Sequence, residues 1–237
     1  VGNRKARSIT DRERNAIWSC LETHCTAGDF GALRMRAIAT LVIDTTLRLS
    51  EVLHITLRQL LEDTSAKSDL RILSSFYLHR VQAKGRATVK KTKAKRGEKK
   101  KKPRAGYSSE RTVNVPRRAR EALRAYLREL RARKWVTGAW SGTPWITIKG
   151  RGEARHAIPS KRTIQAAWTS WQKRAGIEDP YRFHDLRHTA ITRLSGAGDN
   201  VFAVAEIAGH HDVRTTQKYV HTSPAKLSAL AQRASDL

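Results

Sequence analysis

Four residues near the C-terminal end of this sequence and one far upstream have side chains suited to work on a phosphate. His184 and Arg187 stand three apart in His184-Asp185-Leu186-Arg187-His188-Thr189, so a helix turns both to one face. His210 follows Gly209, a glycine placed to end a helix, and Tyr219 closes the run Thr215-Thr216-Gln217-Lys218-Tyr219. Arg48 sits upstream in Thr46-Leu47-Arg48-Leu49-Ser50-Glu51. A guanidinium stays charged and its planar fork pairs with phosphate oxygens. A tyrosine oxygen can break a phosphodiester by transesterification, which leaves the protein joined to the phosphate and keeps the bond energy for rejoining. The transition state spreads extra negative charge over the non-bridging oxygens, where fixed donors such as Arg48 and Arg187 act most strongly. Such chemistry calls for no nucleotide cofactor, and the sequence has no glycine-rich phosphate loop. The phenol, with an ordinary pKa of about 10, needs nearby positive charge and a base to act at neutral pH.

The elements that must hold these groups read mainly as helices. Thr10 and Glu13 form a capping-box pattern before a helix with Ile17, Trp18 and Leu21 on its apolar stripe. Gly28 and Gly31 bracket a loop, after which a second helix is expected from about Leu33 to Thr45. Glu51, three residues after Arg48, would share a helical face with it and hold its guanidinium. Residues 70–81 and Arg111–Val115 have strand-like content, with a short strand also at Ala87–Thr92. Pro116 suits the first turn of a helix whose Ala119, Ala122, Leu123, Tyr126, Leu127 and Leu130 make a buried stripe. Trp135, Trp140 and Trp145 fall in a glycine-rich loop with a short strand near 145–148, where packing is the expected use of the rings. Ser160 caps a helix facing inward with Ile164, Ala167, Trp168 and Trp171. Asn200 and Asp212 cap two more, the second delivering Tyr219. The resulting class is α+β, mainly α-helical, with a small antiparallel sheet.

Composition narrows the partner. The 237 residues contain 47 Lys and Arg against 21 Asp and Glu, a net charge of +26. That imbalance points to a polyanion. The densest basic run is Lys90, Lys91, Lys93, Lys95, Arg96, Lys99, Lys100, Lys101, Lys102 and Arg104, a self-repelling loop able to lie along a DNA backbone. Cys20 and Cys25 are too few for a disulfide framework and read as reduced thiols. No stretch is apolar for long enough to cross a membrane. An intracellular, DNA-associated protein is the expectation, in the cytoplasm or nucleoid if the source is bacterial or phage.

Taken together, Arg48 with Glu51, the His-x-x-Arg box, the Gly-His and the tyrosine resemble the catalytic domain of the tyrosine recombinases of the phage-integrase type. The resemblance covers roughly residues 9–237, with residues 1–8 as a linker, 9–221 as the catalytic domain and a basic hairpin insertion at about 84–110. It implies site-specific cutting and rejoining of double-stranded DNA through a 3′-phosphotyrosyl intermediate, as in the mobility of genetic elements, with no metal and no cofactor. It implies that His210 hydrogen-bonds the phosphate and that His184 assists proton transfer. It also implies a catalytic lysine on a β-hairpin ending in Val-Pro. Thr92-Lys93-Ala94 and Val113-Asn114-Val115-Pro116 match that frame, so Lys93, with Lys95 as the alternative, would protonate the departing 5′-oxygen. Thr46 occupies the place where the family pattern has glycine. The resemblance further implies an N-terminal DNA-clamping domain that this sequence does not contain, so the chain reads as a fragment. It implies that an amphipathic segment, 222–237, docks on a neighbouring protomer, giving tetramers at synapsis, and that accessory DNA-bending proteins take part.

Other readings account for less. His184, His188 and His210 could be zinc ligands by spacing, but that leaves Arg48, Tyr219 and the basicity without a role. A type IB topoisomerase-like strand transferase shares the Arg, Lys, His and Tyr chemistry, yet that family has lysine where His184 stands. A catalytically idle DNA-binding protein would use the basic loop alone.

Overall fold

The computed structural model describes residues 6–65, 69–79, 110–135, 142–145, 147–149, 153–155, 159–197, 200–210 and 212–219. The fold is built around one helix. α1 (Asp11–Thr26) starts at the expected capping box, with Thr10 Oγ1 accepting from the Glu13 N–H at 3.2 Å and Glu13 accepting from the Thr10 N–H at 3.1 Å. α2 (Phe30–Thr45) begins three residues before the expected start. The cause is Asp29, whose carboxylate accepts from the Gly31 and Ala32 N–H groups at 2.7 and 3.1 Å, so Gly31 lies inside the helix rather than in a loop. α2 is buried on nearly every side, not along one stripe, because α1 and four later helices surround it.

α3 (Leu49–His54) and α4 (Leu57–Leu60) follow, then the strands β1 (Ser75–Leu78) and β2 (Arg111–Asn114). These two pair antiparallel with Phe76 opposite Val113 and Leu78 opposite Arg111. α5 (Arg117–Ala132) buries the predicted stripe from Ala119 to Leu130 against α2. Pro116 is its cap, one residue before the expected place, since a fixed φ of −58° with an extended ψ leads into the helix without entering it. β3 (Thr147–Lys149) and β4 (Glu153–Arg155) make a second two-stranded antiparallel ribbon. α6 (Lys161–Arg174), α7 (Phe183–Gly196), α8 (Val201–Ala208) and α9 (Arg214–Gln217) complete the described elements.

Large aromatics fill the spaces between helices, as expected for Trp135 and Trp145, while Trp140 and the strand expected at 87–92 lie outside the described residues. Trp145 is fully buried, stacks on Tyr126 at 5.6 Å, and donates from Nε1 to the Val52 carbonyl at 2.7 Å, which fixes the end of α3. Trp168 lies between Trp18 and Phe183. At the start of the described chain, Arg7 lies over the Tyr181 ring and pairs with Asp179. The buried Ile9 donates its N–H to Thr189 on α7. Cys20 and Cys25 are half-buried free thiols, and burial pushes the Cys25 pKa up to about 11, far from thiolate reactivity. Among the described residues no helix is long and apolar enough to cross a membrane.

Candidate active site

Two helix C-termini set the site. α2 ends with Thr46 in the left-handed region, φ 56°, a conformation that glycine enters without steric cost and that is strained for a β-branched residue. The Thr46 hydroxyl offsets part of that strain by donating to the Ile207 carbonyl of α8 at 3.0 Å. α8 ends at Gly209, φ 62°, whose N–H donates to Glu206 O while the His210 N–H donates to Ala205 O. These caps leave carbonyls without a helical partner.

The arginine pair uses those carbonyls. Arg187, 2% exposed on α7, donates to Thr46 O and, at 2.6 Å, to Ala208 O. Arg48 donates from Nη2 to Gly209 O at 3.3 Å and from Nη1 to Glu51 Oε1 at 2.8 Å. The negative ends of two helix dipoles thus stabilise the cations. Burial first and the Arg48 charge second disfavour the charged form of Arg187, so the guanidinium gains from an anion beside it. Arg48 is not on α3 but is its capping residue. The fully buried Glu51 in the first turn accepts from the Arg48 N–H at 2.7 Å as well as from its guanidinium.

A third guanidinium, absent from the sequence expectations, completes this cluster. Arg111 opens β2, has a side chain 6% exposed, and reaches Glu51 Oε2 at 3.3 Å. Its signal in the sequence is period-2 alternation, which puts Arg111 on the same strand face as the buried Val113 and Val115.

The histidines and the tyrosine close the site from α7 and α9. His184 is exposed at the mouth of a cleft of about 480 Å³ that Arg48, Arg187, Lys161 and Arg162 also line. Its pKa is lowered by loss of solvent and then by Arg187. His210 shares a hydrogen bond with the buried Thr216 hydroxyl, Nδ1 to Oγ1 at 2.8 Å. Tyr219 follows α9, where Asp212 accepts from the Arg214 N–H and Val213 takes the cap position assigned from sequence to Asp212. The Tyr219 ring packs with Ile191, Leu194, Val204 and Ala208, and lies 5.0 Å from the His188 ring and 6.4 Å from the His210 ring. The fold therefore brings Arg48, Glu51, His184, Arg187, His210 and Tyr219 near one another, with Arg48, His184 and Arg187 lining the cleft. Lys90, Lys91, Lys93, Lys95, Arg96, Lys99, Lys100, Lys101, Lys102, Arg104 and the segment 222–237 lie outside the described residues. Among the described residues, no three His, Cys, Asp or Glu side chains gather as a metal-ligand group.

Burial first, then Arg187, Arg48 and Arg111, push His210 down to about 4. Its ordinary value is about 6.5. Between those values the unfolded chain binds more protons than the folded one, so stability falls as pH drops through that window. His184 and His188 shift the same way and add to the fall. Thermal melts between pH 7.5 and 4 are expected to show this loss, and His210→Asn to flatten it. An undiminished fall in that variant would assign the acid sensitivity elsewhere.

Comparison with known proteins places the geometry. The phage integrase family model matches residues 7–226. The chain is 40% identical over 67 residues to the integrase of Salmonella phage P22, covering 28% of this chain and 17% of that one. It is 36% identical over 96 residues to the tyrosine recombinase XerD of Bifidobacterium longum, covering 33% and 31%. The matches thus span less than a third of these curated relatives. The fold is similar to that of the Tn1549 transposon integrase bound to transposon right end DNA, with TM-score 0.62, 18% identity, and coverage of 98% of this chain and 67% of that one. It is also similar to the site-specific recombinase XerH bound to its difH substrate, with TM-score 0.59, 14% identity, and coverage of 98% and 55%. With a family match over nearly its whole length, this chain belongs to the phage integrase family.

Proposed function

We propose that this chain is the catalytic part of a site-specific DNA recombinase or integrase that cuts and rejoins DNA through a 3′-phosphotyrosyl intermediate. One observation carries the reading: two guanidiniums held on helix-end carbonyls open onto the same cleft as His184, beside a half-buried tyrosine. Arg48 and Arg187 pair with the non-bridging oxygens of the scissile phosphate and stabilise the charge that builds there. His210, neutral at working pH and oriented by Thr216, offers its other ring nitrogen to a phosphate oxygen. His184, also biased to the neutral form, takes and returns the phenol proton. The Tyr219 oxygen attacks phosphorus, the P–O5′ bond breaks, and Lys93, with Lys95 as the alternative, protonates the departing oxygen. Reversal with a different 5′-hydroxyl rejoins the strand. The +26 charge supports a double-stranded DNA substrate, and the DNA-bound structures of the Tn1549 integrase and XerH favour recombination sites as that substrate. Assembly into tetramers at synapsis through residues 222–237, with accessory DNA-bending proteins, extends the same reading.

The test is a covalent trap. Nicked duplexes release a short strand after cleavage and so prevent rejoining. Incubation followed by detergent denaturation is expected to yield protein attached to a 3′-phosphate end, with a free 5′-hydroxyl on the released strand. A duplex that the protein binds tightly without forming any adduct would count against the reading.

A further inference from the structure

We infer that Arg111 is a positioning residue for the cleavage reaction, holding the Glu51 carboxylate and the Gly209–His210 turn in register at the same time. The inference rests on the proposed transesterification and adds a residue to it.

Arg111 contacts Glu51 and Gly209, the same two residues that hold the Arg48 guanidinium. Its Nη2 reaches Glu51 Oε2 at 3.3 Å, while Glu51 Oε1 takes Nη1 of Arg48 at 2.8 Å. One fully buried carboxylate is therefore shared between the arginine proposed to clamp the phosphate and an arginine from a different element. The same Arg111 guanidinium packs against Gly209. A Cβ placed on Gly209 would stand 2.4 Å from Arg111 Nη1 and 2.8 Å from its Cζ, so the glycine is there partly to admit the guanidinium. The Gly209 carbonyl accepts from Arg48, and the next residue is His210. Arg111 thus touches both supports of Arg48 and the backbone that aims His210. Its side chain is 6% exposed, against 35% for Arg48, which places it behind the reacting groups rather than among them. Arg48 engages both Glu51 oxygens, its guanidinium on Oε1 and its backbone N–H on Oε2, and Arg111 adds to Oε2 a cation from a different element.

This arrangement predicts an effect on rate rather than on affinity. Misplacement of catalytic groups by about 1 Å costs on the order of 10²-fold in rate. Arg111→Met keeps much of the volume and removes both contacts. It is expected to slow single-turnover cleavage of nicked DNA about 10²-fold while DNA affinity changes by no more than about threefold. Arg111→Lys keeps the charge near Glu51 but not the planar face against Gly209, and is expected to recover about half of that loss on a logarithmic scale. The second readout does not depend on cleavage. The Arg111 charge is one of those that hold His210 neutral, so the His210 titration followed by NMR should move upward in Arg111→Met and stay near the wild-type midpoint in Arg111→Lys.

Wild-type cleavage rates in both variants would overturn the inference. So would a loss of affinity that matches the loss of rate, because Arg111 would then be a DNA contact. If the wild type itself forms no adduct, the recombinase reading fails, and the His210 titration still decides: an unmoved midpoint in Arg111→Met rejects the positioning role on its own. If Arg111→Met does not fold, Arg111→Lys at the wild-type cleavage rate is sufficient to reject it.

Discussion

Tyr219→Phe is expected to form no covalent adduct with nicked DNA while binding that DNA with an affinity within about twofold of wild type. The substitution removes one oxygen and nothing else. The ring contacts with Ile191, Val204 and Ala208 and the tilted packing against the His188 ring need only the aromatic carbons, so phenylalanine keeps the small hydrophobic cluster that seats the residue. A single buried side chain that retains its shape changes stability by less than about 1.5 kcal/mol, too little to disturb the fold around it. The other described tyrosines are poor substitutes. Tyr126 is fully buried and donates to the Pro144 carbonyl at 3.0 Å. Tyr181 donates to Glu13 at 2.6 Å, and burial and that carboxylate raise its pKa to about 12. Tyr77 is half exposed on β1, next to His79 and away from the arginine pair. Gel separation of protein–DNA adducts after denaturation makes the measurement. An adduct that persists in the phenylalanine variant would assign the nucleophile to another residue.

The second large effect is expected at Arg187. Arg187→Lys should reduce the cleavage rate by about 10²–10³-fold, the usual cost of removing one preorganised transition-state donor. An ammonium is a point charge and cannot span Thr46 O and Ala208 O while presenting a third N–H to the phosphate. Stability should change much less. Leaving a buried carbonyl unpaired costs about 1–3 kcal/mol. Against this, a lysine, unlike an arginine, can shed its proton where burial and Arg48 disfavour a cation. The two terms have opposite sign and comparable size, so melting temperature should shift by only a few degrees while single-turnover cleavage falls by orders of magnitude. A large drop in melting temperature with a proportionate drop in rate would mean that Arg187 serves the fold first.

Local signals were the ones legible in the sequence. The Thr10–Glu13 capping box, the α5 stripe and the three-residue step between His184 and Arg187 each depend on neighbours within a turn of helix. The start of α2 was misplaced because Gly31 looked like loop punctuation, whereas Asp29 supplies enough capping to carry the helix through it. Arg111 went unrecognised for a different reason. Its partner Glu51 is 60 residues away and its other contact, Gly209, nearly 100, so only the folded chain brings them together. The left-handed Thr46 was equally hidden, since its compensation comes from the Ile207 carbonyl on another helix. The family pattern correctly marked that position as unusual; the physical reason lies in tertiary structure.

The shared Glu51 carboxylate has an electrical consequence. Three guanidiniums, Arg48, Arg111 and Arg187, surround one carboxylate, so this part of the site carries an excess of two positive charges. His184 and His210, both biased to the neutral form, do not add to it. A phosphodiester at rest carries one negative charge and only half-neutralises that excess. In the proposed reaction the five-coordinate phosphorane carries two. The phenol proton that frees the second charge passes to His184 at the mouth of the cleft, so the new negative charge falls among the three guanidiniums while the proton's positive charge stays outside them. Attraction within the cluster therefore grows on the way to the top of the barrier, which is the condition under which binding energy lowers a barrier instead of deepening the well before it.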